Sequence, residues 1–171
     1  NAGNGGPASE KITDAIFART RTISSYKIAS GQGVDLGKAG VSSIGGMTVE
    51  VIDPVVDYAA LMQQLFDFDA IRDLFKTGFR MRFDAMSAIT GPYGEVILER
   101  MLGAPAGTVM NGTPLPDFGG HHPDPNLVHA KELYDLMMGP GAPDFGAASD
   151  GDGDRNLIIG KGQFVTPSDS L

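Results

Sequence analysis

Two short apolar runs near the end of the chain, Phe145-Gly146-Ala147-Ala148-Ser149 and Leu157-Ile158-Ile159, are separated by little more than Asp150-Gly151-Asp152-Gly153-Asp154-Arg155. Each run reads as a buried strand, the first built of small side chains. So short a link has a strong topological consequence. Parallel neighbours need a crossover of about a dozen residues or more, whereas antiparallel neighbours are joined by a turn. An antiparallel pair at this end of the sheet is therefore expected.

Upstream, strand and helix signals alternate. Pro7 to Tyr26 is predicted to be helical, with Pro7 in the first turn, Ile12, Ile16 and Ile23 on one side, and Gly31 and Gly33 ending it. Ser30 to Gly46 has no sustained period and reads as a loop or weak hairpin, followed by a strand over Met47–Ile52 and a domain boundary near residue 50. Helices follow over Pro54–Leu65 and Asp69–Phe75, a strand alternating through Phe79, Met81 and Phe83, a helix over Pro92–Leu102 and a strand near Thr108–Asn111. A last helix runs from Asp124-Pro125, as cap and first-turn residue, to about Met138. This order predicts an α/β fold: a three-layer α/β/α sandwich with a mixed, mostly parallel sheet and an N-terminal helical arm.

The acidic link also carries the chemistry. Carboxylates held about 5 Å apart repel by roughly 3 kcal/mol per pair at an effective dielectric near 20, so a loop that converges them needs a compensating charge. A bound cation supplies it. Gly151 and Gly153 allow the backbone to turn the side chains inward. An EF-hand would place glycine at the sixth loop position and glutamate at the twelfth; here Arg155 and Lys161 stand there. Asp150, Asp152 and Asp154 suit one magnesium ion that keeps open positions for a phosphate oxygen. The plain alternative is a solvated Asp/Gly turn.

The chain is acidic, with net charge −8 and pI near 4.7, a field that repels polyanions and disfavours nucleic-acid binding. Cysteine is absent, which excludes disulfides and thiolate metal sites. No apolar run approaches the roughly 20 residues that span a bilayer. No secretory leader is visible at the start, and a cytoplasmic location is expected.

Four stretches together resemble phosphoglucomutase of the alpha-D-phosphohexomutase superfamily: Phe145-Gly146-Ala147-Ala148-Ser149 with the acidic loop, Asp117-Phe118-Gly119-Gly120-His121-His122-Pro123-Asp124-Pro125-Asn126-Leu127, Asn4-Gly5-Gly6-Pro7-Ala8, and Pro167-Ser168-Asp169-Ser170. The resemblance implies that residues 1–50 are the end of the family's first domain, 51–167 its metal-binding second domain, and 168–171 the start of a link to a third. It implies a fragment of an enzyme that interconverts glucose 1-phosphate and glucose 6-phosphate through a phosphoserine and a glucose 1,6-bisphosphate intermediate. The nucleophilic serine segment would lie upstream of Asn1, and the sugar- and phosphate-recognition loops in domains beyond Leu171. Alone, the piece would be inactive.

In that picture Asp150, Asp152 and Asp154 hold Mg2+, and Arg155 meets a phosphoryl oxygen or sugar hydroxyl. Phosphomannomutase specificity and a non-catalytic metal-binding or interaction module are the competing readings. His121 and His122 point to opposite sides of an extended segment, so only one could reach a given ion; ordering of the Gly119-Gly120 turn is the simpler role. His129 is expected mid-helix. Arg80 and Arg82 are expected in ion pairs, and Asp84 as a cap or loop acceptor rather than a catalyst.

Overall fold

The computed structural model describes residues 2–28 and 33–170 and divides into two compact units, 1–52 and 53–171. In the first unit, α1 (Glu10–Thr20) leaves Ile12, Ile16 and Phe17 exposed. It is shorter at both ends than expected. Thr20 and Thr22 donate their hydroxyls to the carbonyls of Phe17 and Arg19, a local bonding mode that competes with further helical turns. The expected stop at Gly31 lies outside the described residues. Strands β1 (Gly40–Ile44) and β2 (Met47–Val51) form an antiparallel hairpin, with Gly45 and Gly46 both at positive φ in the turn.

The second unit opens with α2 (Pro54–Leu65), whose bounds match the expectation because both start signals are present: Asp53 accepts the Val55 N–H at 2.9 Å and Pro54 occupies the first turn. Asp67 caps α3 (Phe68–Lys76) by accepting from Ala70. After β3 (Met81–Asp84) comes α4 (Thr90–Gly94), which widens without a break into a π-helical segment, Glu95–Met101. There the Leu102 N–H reaches back five residues to Ile97 at 2.9 Å. The expected helix over Pro92–Leu102 is this composite.

Strand β4 (Val109–Met110) precedes α5 (Lys131–Met138), and β5 (Phe145–Ser149), β6 (Asn156–Gly160) and β7 (Gln163–Phe164) follow. Helix α5 starts later than Asp124-Pro125 predicts. Asn126 Oδ1 instead accepts the N–H groups of Val128 and His129 in a turn, while the Asp124 carboxylate accepts from the side chains of Asn126 and Arg155; His129 consequently lies in that turn rather than mid-helix. The sheet order is β4-β3-β5-β6-β7. It is mixed, as expected, although the parallel share is smaller than "mostly": β3 pairs in parallel with β4 and β5, while β5–β6 and β6–β7 are antiparallel.

One sheet face carries Ala148, Leu157 and Ile159 against Leu133 and Met137 of α5. The approach is close at Gly146, where a Cβ would lie 2.9 Å from Met137 Cγ. On the other face Phe83 and Val109 meet α4, a Cβ at Gly94 lying 2.9 Å from the Phe83 ring. Burying Leu133, Met137, Leu157 and Ile159 contributes about 1.5–3 kcal/mol each. Helices α2 and α3 cover this layer further through the Tyr58–Tyr93 edge contact and the bond from Arg72 Nε to the Met101 carbonyl. The acidic link joins β5 to β6 at one end of the sheet.

Candidate metal centre

Position 150 is the first residue past β5, and its carboxylate is buried, only 2 % exposed. Oδ1 accepts the N–H groups of Gly153 (2.9 Å) and Arg155 (3.1 Å), and Oδ2 accepts from Arg155 Nε (2.9 Å). Burial raises the tendency of this carboxyl to hold a proton, but the Arg155 N–H, its guanidinium and the Gly153 N–H outweigh it, and its pKa lies below the usual value. A carboxylate offers about four acceptor positions, so one on Oδ2 remains after these three bonds.

Gly153 makes the turn possible at φ +84°, and a Cβ there would lie 2.8 Å from Thr90 Cγ2. Thr90 itself is fixed by a 2.6 Å hydroxyl pair with Ser149. The loop thus rests on α4. Asp152 and Asp154 are exposed, and Asp150, Asp152 and Asp154 each present an oxygen such that all lie within 4.8 Å of one another. Repulsion from Asp152, then from Asp150, raises the Asp154 carboxyl above its ordinary value. Three converging oxygens under mutual repulsion are a donor set that fits a hard divalent cation.

Arg155, predicted to face a phosphate, is held from two sides. Beside its bonds to Asp150, Nη1 donates to Asp124 Oδ1 at 2.6 Å, and Asp150 and Asp124 raise its already high pKa. Its side chain is still 61 % exposed. Asp152 and Gly153 also line a cleft of about 590 Å³, otherwise walled mainly by apolar side chains such as Phe83, Tyr93 and Phe68.

The remaining candidates separate. His121 lies near Asp84, whereas the ring of His122 packs edge-on against His129 at 4.7 Å. Arg80 donates to the Ala142 carbonyl and Arg82 to that of Met81, and among the described residues neither makes the expected ion pair. Asp84 is a buried acceptor for Met86 N–H (2.8 Å) and Asn111 Nδ2 (3.0 Å), in keeping with its expected loop role; burial raises its carboxyl pKa, against the pull of those two bonds. Sequence reading missed Asp124 as the second partner of Arg155 and Asn126 as the donor to Asp124 Oδ2 at 2.6 Å. No local pattern links residues 31 positions apart.

An α/β/α sandwich with a carboxylate loop at the end of its sheet defines a class, and the chain belongs to the phosphoglucomutase/phosphomannomutase family: residues 56–163 match its alpha/beta/alpha domain II. It is 68 % identical over its whole length to a phosphoglucomutase of Rhizobium radiobacter, covering 32 % of that protein. It is 52 % identical to the chloroplastic phosphoglucomutase 1 of Marchantia polymorpha, covering 26 % of it. The open form of pp63/parafusin, a phosphoglucomutase from Paramecium, superimposes on 97 % of the chain with a TM-score of 0.85 and 41 % identity, 32 % of that structure being covered. The chain thus spans about a quarter to a third of the length of these relatives. No helix among the described residues is long and apolar enough to cross a membrane.

Proposed function

We propose that this chain is the metal-binding part of a phosphoglucomutase that interconverts glucose 1-phosphate and glucose 6-phosphate. Residues 1–50 close the first domain, 51–167 form the second, and 168–171 lead toward the third. The observation that carries this reading is the convergence of Asp150, Asp152 and Asp154 within 4.8 Å.

Asp150, Asp152 and Asp154 would hold Mg2+, which when bound neutralises charge on a phosphoryl oxygen. The loop's four charged residues have separable tasks. Asp150, locked by Arg155 and Gly153, fixes the loop. Asp152 and Asp154 supply exposed charge. Arg155, oriented by two aspartates, presents an exposed guanidinium to the dianionic hexose phosphate. The reaction passes through a phosphoserine and glucose 1,6-bisphosphate, the serine being supplied by a part of the enzyme that these residues do not include. The relatives at 68 % and 52 % identity are named phosphoglucomutases, which favours glucose over mannose as the sugar. A cysteine-free chain suits a reducing compartment such as the cytoplasm.

In the full-length enzyme Asp152→Asn is expected to lower turnover of glucose 1-phosphate at least tenfold, since it removes a ligand charge. An unchanged rate contradicts the assignment.

A further inference from the structure

A second group of potential ligands lies outside the acidic loop and differs from it in chemistry. His122, Asp124 and His129 each present a ligand atom, and the three atoms lie within 4.8 Å of one another. The first loop offers only oxygen; this one offers two imidazole nitrogens and a carboxylate. Imidazole suits zinc, nickel and copper, whereas magnesium prefers carboxylate, carbonyl and water.

The segment is built to hold these groups together. Asn126 bridges them, donating Nδ2 to Asp124 Oδ2 at 2.6 Å and accepting the His129 N–H at 3.0 Å on Oδ1. The Asp124 N–H closes back onto the His122 carbonyl at 2.9 Å, and the Ala130 N–H onto that of Asn126 at 2.8 Å. The imidazole rings meet at 4.7 Å. Among the described residues, no hydrogen bond or ion pair engages a ring nitrogen of His122 or His129, so both remain available. Asp124 accepts one bond on each oxygen, from Arg155 and from Asn126, which leaves about two acceptor positions for a cation.

Around a tetrahedral ion with bonds of about 2.0–2.2 Å, ligand atoms stand roughly 3.3 Å apart. Reaching that spacing takes shifts of an ångström or so. Both histidines are exposed and free to make them.

We propose that His122, Asp124 and His129 form a second metal site, for Zn2+ or a transition ion of like character, distinct from the magnesium-type loop. The imidazole nitrogens disfavour Mg2+ at this second site, and excess Mg2+ competes for the oxygen-only loop.

The test is a calorimetric titration of the chain with Zn2+ in excess Mg2+. One Zn2+ is expected to bind, at least tenfold more weakly in His122→Ala and in His129→Ala, and with unchanged affinity in Asp152→Asn. Affinity indifferent to both histidine substitutions, or abolished by Asp152→Asn, overturns the site. A readout without variants is imidazole 15N NMR of the parent chain during the titration. Ring nitrogens of His122 and His129 are expected to move to the metal-bound range while those of His121 do not; ligation by His121, or by none of the three, overturns it.

Discussion

Arg155 donates Nε to Oδ2 of Asp150 at 2.9 Å, and its own backbone N–H to Oδ1 of the same carboxylate at 3.1 Å. One residue therefore grips both oxygens of the loop's buried acid. This grip gives Asp150 a role in the fold that Asp152 and Asp154, both exposed, do not share.

In metal-free solution Asp150→Asn is expected to destabilise the chain by about 2 kcal/mol, the scale of hydrogen bonds to a charged group, because an amide nitrogen would face the Arg155 donor. Asp152→Asn and Asp154→Asn should change stability little, since each relieves repulsion in an exposed cluster. Urea unfolding in a chelator distinguishes the three. Equal losses would contradict the division of roles.

Asp84 carries the opposite pH signature to Asp150. Burial raises its folded-state pKa above 3.8, so from that value upward to the folded pKa the native chain holds the proton more tightly than the unfolded one, and stability falls as pH rises through the window. Asp84→Asn removes the buried charge and keeps an oxygen for Met86 and Asn111. Unfolding over a pH series is expected to show the variant gaining on the parent as pH rises from about 4 toward neutrality. A constant difference, or a gain toward acid, contradicts this.

Gly153 tests the loop's support. Its φ of +84° disfavours any side chain, and a Cβ would collide with Thr90 Cγ2 at 2.8 Å. Gly153→Ala should therefore weaken divalent-cation binding. Adding Thr90→Ser deletes the colliding methyl and keeps the hydroxyl that pairs with Ser149. Partial recovery in a binding titration is expected, the remainder being the backbone cost of about 1 kcal/mol. No recovery would show that the contact is not what the substitution disturbs.

What the sequence disclosed was local. Asp150, Asp152 and Asp154 sit on alternate positions of one turn, so their convergence could be read directly, and Asp53-Pro54 marked the start of α2 because cap and first turn are adjacent. The short link between β5 and β6 dictated their antiparallel pairing. What stayed hidden depends on distant partners or on side chains competing for backbone. Asp124-Pro125 has the form of a helix start, yet Asn126 captures the following N–H groups and Arg155 draws Asp124 away. His121 and His122 were expected on opposite sides of an extended segment, but that His129 would meet His122 was hidden, because the turn at residues 126–130 brings the two rings together and leaves His121 beside Asp84. The π-helical stretch after Gly94 has a periodicity that a helical pattern does not separate from an ordinary helix.

The most direct measurement is Mn2+ binding to the chain, followed by electron paramagnetic resonance, with Mg2+ as competitor. The account predicts one bound Mn2+ that Mg2+ displaces and that Asp152→Asn weakens at least tenfold while His129→Ala leaves it in place. Binding that is indifferent to Asp152→Asn, or that no Mg2+ concentration displaces, would contradict it.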